Sequence, residues 1–441
     1  MIGLSAEEMA RAAGAEIAAR GGAGFPGRAV IDSREAGPGD LFVGLPGASA
    51  DGGEFAAAAL AAGAWGALVA PDRVDGLGGG WVFAAADPLA ALQSLARDWR
   101  RRLGARVVGI TGSVGKTSAK DIARALLPGH VHASPENFNT EVGLPLTVLA
   151  APERTDVLVL EMAMRGAGQI AELAEIAEPD VAVITNIGPV HVELLGSVEA
   201  IAAVKAEILA GLPSDGAAVV PADATILEPF LETAPRVLRF GEGGEVSVAE
   251  RRVEGAETDA LISTPAGEQR FRFPFSEAYN LQNALAAIAA GMALGASPAE
   301  MADRAPAIGF SRLRGERIQL GPEIVLVNDC YNANPVSMRA ALDHLASLDS
   351  GRRVAVLGLM GELGPDAPAY HREVGEHARA AGIDLLIGVG EESRDYEPDE
   401  LVATPEDAAE LLSAQLQPGD VVLVKGSRSA GLERVAEALR G

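Results

Sequence analysis

The stretch Gly109-Ile110-Thr111-Gly112-Ser113-Val114-Gly115-Lys116-Thr117 closes one strand-like apolar run, residues 106–110, and opens a helical one. A glycine-rich loop between strand and helix is a phosphate-binding device. Its glycines let backbone amides turn toward phosphate oxygens, the helix N-terminus adds positive potential, Lys116 reaches the outer phosphates, and the Thr117 hydroxyl can hold magnesium. Gly112, Ser113 and Gly115 supply the amides. Ile110 takes the place of the first glycine of GxxxxGK[ST], so the loop is a variant of that pattern. The strand-loop-helix setting disfavours an ordinary glycine-rich turn and predicts an α/β unit.

Two further apolar runs, 156–160 and 180–185, are nearly continuous, as in a parallel sheet buried on both faces. Each ends in polar residues: Glu161 after the first, Thr185-Asn186 at the end of the second, with His191 shortly beyond. Ligands of open parallel sheets bind beyond the carboxyl ends of the strands, so these residues are expected to meet the phosphate loop at one edge. Glu161, Thr117 and nucleotide phosphates would satisfy the hard oxygen preference of magnesium. Lys205 stands out differently. With Ile201, Val204 and Ile208 it falls at i, i+3, i+4 and i+7, on the apolar stripe of a helix. Either its stem snorkels past the core or its amine is buried near the site.

At 441 residues the chain exceeds the size at which one core stops growing, and three domains are expected. Residues 1–86 mix short strands (28–32, 40–45, 81–84) with an alanine-rich helix near 55–64, a small α/β domain. Residues 87–316 begin with a helix at 88–103 and carry the phosphate loop. Within them, 246–275 alternates apolar and polar residues around Thr264-Pro265-Ala266-Gly267, which predicts a small antiparallel β insertion. Residues 317–441 show four apolar strands (324–327, 354–357, 385–389, 421–424) separated by helices starting near Pro335, Tyr370, Pro405 and Gly431, a Rossmann-like domain. Gly358, Gly361 and Gly364 do not follow GxGxxG spacing, so no dinucleotide cofactor is expected.

Composition narrows the partners. The formal charge of −25, from 61 acidic and 36 basic residues, argues against nucleic acid or an anionic membrane as a partner. Anionic substrates must then be held by local devices against the global field. The single cysteine, Cys330, excludes an intrachain disulfide framework and a cysteine-built zinc site, and fits a reducing compartment. No basic-then-apolar leader and no run of about 18 apolar residues is present, so a cytoplasmic protein without membrane insertion is expected.

The phosphate loop, Glu161, Thr185-Asn186-Ile187-Gly188-Pro189-Val190-His191, Lys205 and Tyr279-Asn280-Leu281-Gln282-Asn283-Ala284 resemble, in order along the chain, the Mur ligases of peptidoglycan synthesis. Asp329-Cys330-Tyr331-Asn332-Ala333-Asn334-Pro335, Gly358-Leu359-Met360-Gly361-Glu362-Leu363-Gly364 and Lys425-Gly426-Ser427-Arg428 resemble the branch that adds D-alanyl-D-alanine. Asp32-Ser33-Arg34 and Pro38-Gly39-Asp40-Leu41-Phe42-Val43 are similar to the UDP-binding domain of that family.

The resemblance implies an ATP-dependent amide ligase acting on UDP-N-acetylmuramoyl-tripeptide and D-alanyl-D-alanine through an acyl phosphate, working as a monomer. It implies that Lys116 and Thr117 serve ATP phosphates and magnesium, and that Glu161 and His191 help hold two magnesium ions. Lys205 matches a lysine that is carbamylated in related ligases, which would make it an oxygen ligand for magnesium. Asn283 is implied at adenine, Asp329 at the ATP ribose and Arg314 at the phosphates, with Arg312 and Arg317 as neighbouring alternatives. Ser33 is implied at the uracil-ribose pocket, and Asn137, Asn139 and Thr140 at the muramoyl-peptide. Tyr331, Asn332, Asn334, Ser427 and Arg428 would close over the reaction. Gly53, Thr140, Ala163, Tyr279 and Leu359 depart from the family pattern, and none of them removes a phosphate or metal group.

Two other readings differ in kind. A sister ligase adding the third residue, or a folylpolyglutamate synthase, would share the central domain but not the motifs after residue 317. A nucleotide-driven regulatory protein would need the loop alone, which leaves Glu161, Lys205 and Tyr331 unaccounted for. No GxSxG elbow or Cys–His pairing suggests a covalent nucleophile.

Overall fold

The computed structural model describes residues 3–48, 50–135, 137–190, 195–321, 323–348 and 351–440. Its first sheet comprises β1 (Glu16–Ala19), β2 (Arg28–Val30), β3 (Asp40–Val43), β4 (Gly66–Val69) and β5 (Trp81–Ala84), in the order β1-β5-β4-β3-β2, with β1 alone antiparallel to its neighbour. The sequence predicts β2, β3 and β5 but neither β1 nor β4. Both are four residues long, and β1 alternates exposed and half-buried positions, so neither carries a local pattern strong enough to stand out.

The helix Pro88–Leu103 agrees residue for residue with its prediction, because every signal is local. Asp87 accepts hydrogen bonds from the amides of Leu89 and Ala90, Pro88 occupies the first turn, Arg100 to Arg102 lie in the last, and Gly104 ends the helix with φ 62°.

Six parallel strands follow: β6 (Arg106–Thr111), β7 (Val131–Ala133), β8 (Val157–Glu161), β9 (Val181–Ile184), β10 (Ala217–Pro221) and β11 (Val237–Phe240), ordered β11-β10-β9-β6-β8-β7. Successive residues feed different cores. Val107, Leu158, Leu160, Ala182 and Ile184 pack on one face, and Val108, Ile110, Val159, Val181 and Val183 on the other. Both faces are covered, so these strands read as unbroken apolar runs. The strands following β6 divide between its two sides, β8 on one and β9 on the other. The crevice of such a sheet opens where that reversal occurs, at the carboxyl ends of β6, β8 and β9.

The insertion is a meander of β12 (Ser247–Glu254), β13 (Glu257–Thr264) and β14 (Gly267–Phe273). Its inner face, Ala260, Ile262, Phe271 and Phe273, joins the core formed with the helix Ala278–Ala293. The last sheet contains β15 (Glu316–Gly321), β16 (Ile324–Asn328), β17 (Arg352–Leu357), β18 (Leu385–Val389), β19 (Glu400–Val402) and β20 (Asp420–Lys425), ordered β15-β16-β20-β17-β18-β19. The four predicted strands form its centre, while the unpredicted β15 and β19 are its edges, where an apolar run is not needed. Two helices start at their predicted positions, Pro335 and Pro405, and the others at Glu433, two residues after Gly431, and at Ala367, three before Tyr370. Among the described residues no helix is long and apolar enough to cross a membrane.

Three histidines are held inside this fold with their proton affinity lowered, first by burial: His132, His344 and His371. Backbone carbonyls of Thr147 and Ala367, and the carboxylate of Glu277 for His344, oppose that shift without reversing it. Above about pH 6.5 these groups are neutral in both folded and unfolded chains. As pH falls below that value the unfolded chain takes up protons the native state refuses, so stability is lost. The melting midpoint should therefore drop between about pH 7.5 and about pH 5.5, and the drop should shrink in His371→Asn. A midpoint that does not move over that range contradicts this.

Candidate active site

The phosphate loop is clamped from the β9 side. Ser113 N donates to Asn186 O at 3.1 Å, and Val114 N donates to Asn186 Oδ1 at 2.9 Å. Thr185 Oγ1 donates to Val114 O at 2.6 Å, while Ser113 Oγ and Gly188 exchange bonds of 2.9 and 3.0 Å. Two glycines are required by this closeness. A Cβ at Gly112 (φ 151°) would lie 1.9 Å from Thr185 Oγ1, and one at Gly115 (φ 83°) 2.3 Å from Asn283 Oδ1.

Two lysines converge on one carbonyl. Lys116 Nζ donates to Gly112 O at 2.8 Å, and Lys205 Nζ donates to the same oxygen at 3.0 Å. The Lys205 residue is 2% exposed, so of the two readings of the stripe the buried amine near the site is the one the structure shows. Burial, and then the charge of Lys116, push the Lys205 amine well below the ordinary lysine range. The Lys116 amine is also lowered, chiefly by burial, with Glu161 opposing and Arg314 assisting the shift.

Glu161 ends β8 and is buried. Its Oε1 accepts from Asn139 Nδ2 at 2.8 Å, and its Oε2 has no hydrogen-bond partner among the described residues. A buried carboxylate oxygen left unpaired is costly, and a divalent cation would satisfy it. The Thr117 hydroxyl accepts from an Arg314 terminal nitrogen at 3.3 Å, and the Arg314 guanidinium stacks on the Tyr331 ring with its carbon 4.1 Å from the centroid. Arg314 is thus the arginine at the loop. Arg312 faces an adjoining cavity, and Arg317 lies on β15 among the charges around His344. Among the described residues no group of three His, Cys, Asp or Glu gathers as a ready metal cluster, so Glu161 and Thr117 would bind a cation together with groups of the substrate.

A cleft of ≈ 580 Å³ runs over the loop, lined by Ser113, Gly115, Lys116, Thr117, Glu161 and Asn283 on the side of the parallel sheet. Asn139 and Thr140 border it beside Glu161, and Arg314, Asp329, Tyr331, Asn332 and Asn334 face it from the other side. A second cavity of ≈ 700 Å³ adjoins it through Thr117, Arg314, Tyr331 and Asn332, and adds Asn137, Ser427 and Arg428. Gly112 and Lys205 line neither cavity. Ser33 sits in the turn after β2 and lines neither cavity. His191 lies outside the described residues.

The prediction omits Lys425. It is buried at the end of β20, donates to Asp329 Oδ2 at 2.6 Å and to Asn332 O at 3.1 Å, and lines the cleft. The signal that marked Glu161, a charged residue closing an apolar run, also marks Lys425 after residues 421–424.

The fold and cleft define a nucleotide-dependent α/β enzyme with a phosphate loop at the crevice of a parallel sheet. Residues 110–291 match the Mur ligase middle domain, and residues 313–428 match the Mur ligase, glutamate ligase domain. The UDP-N-acetylmuramoyl-tripeptide--D-alanyl-D-alanine ligase of Synechocystis is 38% identical over 92% of this chain and 90% of its own length. The crystal structure of MurF from Acinetobacter baumannii superposes with a TM-score of 0.90 at 28% identity, covering 99% of each chain. MurF ligase from Thermotoga maritima, solved in complex with ADP, gives 0.83 at 31% identity over 94% of this chain and 97% of its own. The chain belongs to the Mur ligase family of ATP-dependent ligases.

Proposed function

We propose that this protein adds D-alanyl-D-alanine to UDP-N-acetylmuramoyl-tripeptide, converting ATP to ADP and phosphate, in the cytoplasm and as a monomer. The single observation that carries the reading is the meeting of Lys116, Thr117 and the half-satisfied Glu161 carboxylate at adjacent strand ends, in a chain that follows the Synechocystis D-alanyl-D-alanine ligase over 92% of its length. A carboxylate cannot be attacked by an amine until one oxygen becomes a leaving group. The tripeptide carboxylate therefore attacks the terminal phosphorus of ATP, ADP departs, and the amine then displaces phosphate from the acyl phosphate.

Phosphoryl transfer needs positioning and charge neutralisation more than covalent help. Loop amides and Lys116 bind the phosphates, and Arg314, braced by Tyr331, adds positive charge beside Thr117. Glu161 and Thr117, with His191 and a carbamylated Lys205, would hold two magnesium ions, whose role when bound is to neutralise phosphate charge. We assign Asn283 to adenine and Asp329, held by Lys425, to the ribose. Ser33 is assigned to the UDP moiety, Asn137, Asn139 and Thr140 to the muramoyl-peptide, and Tyr331, Asn332, Asn334, Ser427 and Arg428 to the closing side. The working units are 1–86, 87–316 and 317–441.

The test is phosphate release from ATP and magnesium with both substrates present. The reading requires release that depends on UDP-muramoyl-tripeptide and on D-alanyl-D-alanine together. Release driven by diaminopimelate, lysine or glutamate as acceptor would replace it with a sister ligase or a folylpolyglutamate synthase.

A further inference from the structure

The helix Lys116–Leu126, which follows the phosphate loop, buries an ion pair one turn beyond Lys116 and Thr117. Lys120 and Asp121 are 2% and 4% exposed, and Lys120 Nζ lies 3.1 Å from Asp121 Oδ1. Neither residue lines the nucleotide cleft or the adjoining ≈ 700 Å³ cavity. Two charges taken out of water cost stability unless further hydrogen bonds complete them. Here Lys120 Nζ donates to Ser134 O at 2.9 Å, and the Ser134 hydroxyl accepts from the Glu161 amide at 3.1 Å. Asp121 Oδ2 accepts from the Ser311 amide at 2.8 Å, across 190 positions of chain. Each end of the pair therefore holds a segment that delivers a site residue: the strand end with Glu161, and the link with Arg314.

The second connection has a direction. Thr117 and Asp121 stand four residues apart on one face of the helix, about 6 Å along its axis. Ser311 and Arg314 stand three apart on the link and meet those residues in reverse order, Ser311 N at Asp121 and an Arg314 terminal nitrogen at Thr117 Oγ1, 3.3 Å away. The link thus runs antiparallel to the helix for one turn. Within it Leu313 takes φ 62°, a left-handed conformation that costs a residue with a side chain and persists only where its surroundings over-determine it. The Arg314 guanidinium lies on the Tyr331 ring, 4.1 Å from the centroid, and its Nε is buried with no hydrogen-bond partner among the described residues. Such a donor is available to a phosphate oxygen.

We propose that Asp121 is a positioning residue for Arg314. By holding the Ser311 amide it fixes the height of the link on the helix, and so the reach of the guanidinium over Thr117, while Lys120 balances its charge. Asp121 itself touches none of the reacting groups. Phosphoryl transfer depends on placement, and a guanidinium displaced by about 1 Å loses much of its value to the charge developing on the transferred group. This rests on the ligase reading above, in which Arg314 serves the ATP phosphates.

The test compares two charge-neutral double variants, Lys120→Met with Asp121→Asn and Lys120→Met with Asp121→Leu. Both remove the ion pair without stranding a buried charge, and they differ in whether an oxygen remains for the Ser311 amide. With ATP, magnesium, UDP-muramoyl-tripeptide and D-alanyl-D-alanine, kcat for phosphate release should be lower by about 10-fold or more in the leucine variant than in the asparagine variant. Combined with Arg314→Ala and followed with radiolabelled ATP, the two should be equal, because the group that Asp121 places is gone. A deficit that reflects general damage to the fold would persist in that background, and this result overturns the proposal. Equal rates of the two double variants with Arg314 present overturn it as well, as does an Arg314→Ala variant as active as wild type. Ser311→Pro deletes the amide donor from the link and reads the same bond if the leucine variant does not fold; its loss of kcat should likewise vanish in the Arg314→Ala background, and a loss that stays overturns the proposal. Wild-type protein whose phosphate release does not require both substrates refutes the ligase reading itself.

Discussion

Lys116→Ala is expected to lower kcat by about 10³-fold or more while leaving the melting midpoint within a few degrees of wild type. Among the described residues the Lys116 ammonium hydrogen-bonds Gly112 O, an oxygen that Lys205 also serves, so truncation leaves that acceptor with a partner. Its contribution lies in the transition state. Charge spread over the oxygens of the transferring phosphoryl group has few cationic partners in a protein of net charge −25, and Lys116 at the head of the helix Lys116–Leu126 is placed to be one of them. The rate is measured by phosphate release and the fold by thermal melting monitored through circular dichroism. Turnover within tenfold of wild type would remove Lys116 from the reaction, and a collapsed midpoint would make it structural.

The second large effect is expected at Lys205. Lys205→Ala should lose about 10²-fold or more in kcat, and part of that loss should return on adding short carboxylic acids such as formate or acetate. The affinity of the Lys205 amine for protons is lowered by burial and then by Lys116, which raises the share of neutral amine. A neutral amine reacts with carbon dioxide to give a carbamate anion and a proton, and at Lys205 that reaction would put an oxygen donor where the amine now meets Gly112 O. Carbon-dioxide-depleted buffer should accordingly slow wild-type protein, and bicarbonate should restore it. Neither acid rescue of the variant nor carbon dioxide dependence of wild type would be seen if Lys205 merely supports Gly112 O. In that case the loss would track the fall in melting midpoint.

Where structure is dictated by neighbours in the chain, it can be read from the sequence. The phosphate loop is written in its glycines, Lys116 and Thr117. The helix Pro88–Leu103 is written in its cap, its first-turn proline and its terminal glycine, and the central strands in apolar runs that buried parallel strands require. Glu161 follows from the same logic, and so does Lys425, although the prediction applied it only to the first. The edge strands β15 and β19 and the short β1 and β4 carry no such mark, since they exist by pairing with strands distant in sequence.

Roles that depend on direction were decided only by tertiary structure. Lys205 is visible as a lysine on an apolar stripe, but whether its amine reaches solvent or Gly112 O depends on where the helix Val198–Ala206 docks. Arg312, Arg314 and Arg317 are indistinguishable as a sequence. The left-handed turn at Leu313 and the antiparallel pairing of β15 with β16 send them to three different places. Asp329 and Lys425 lie 96 positions apart and meet because β16 and β20 are hydrogen-bonded neighbours. Residue type and periodicity specify which chemistry a side chain can offer and which face of its element it occupies. Which groups it meets there is set by long-range packing of elements that no local pattern encodes.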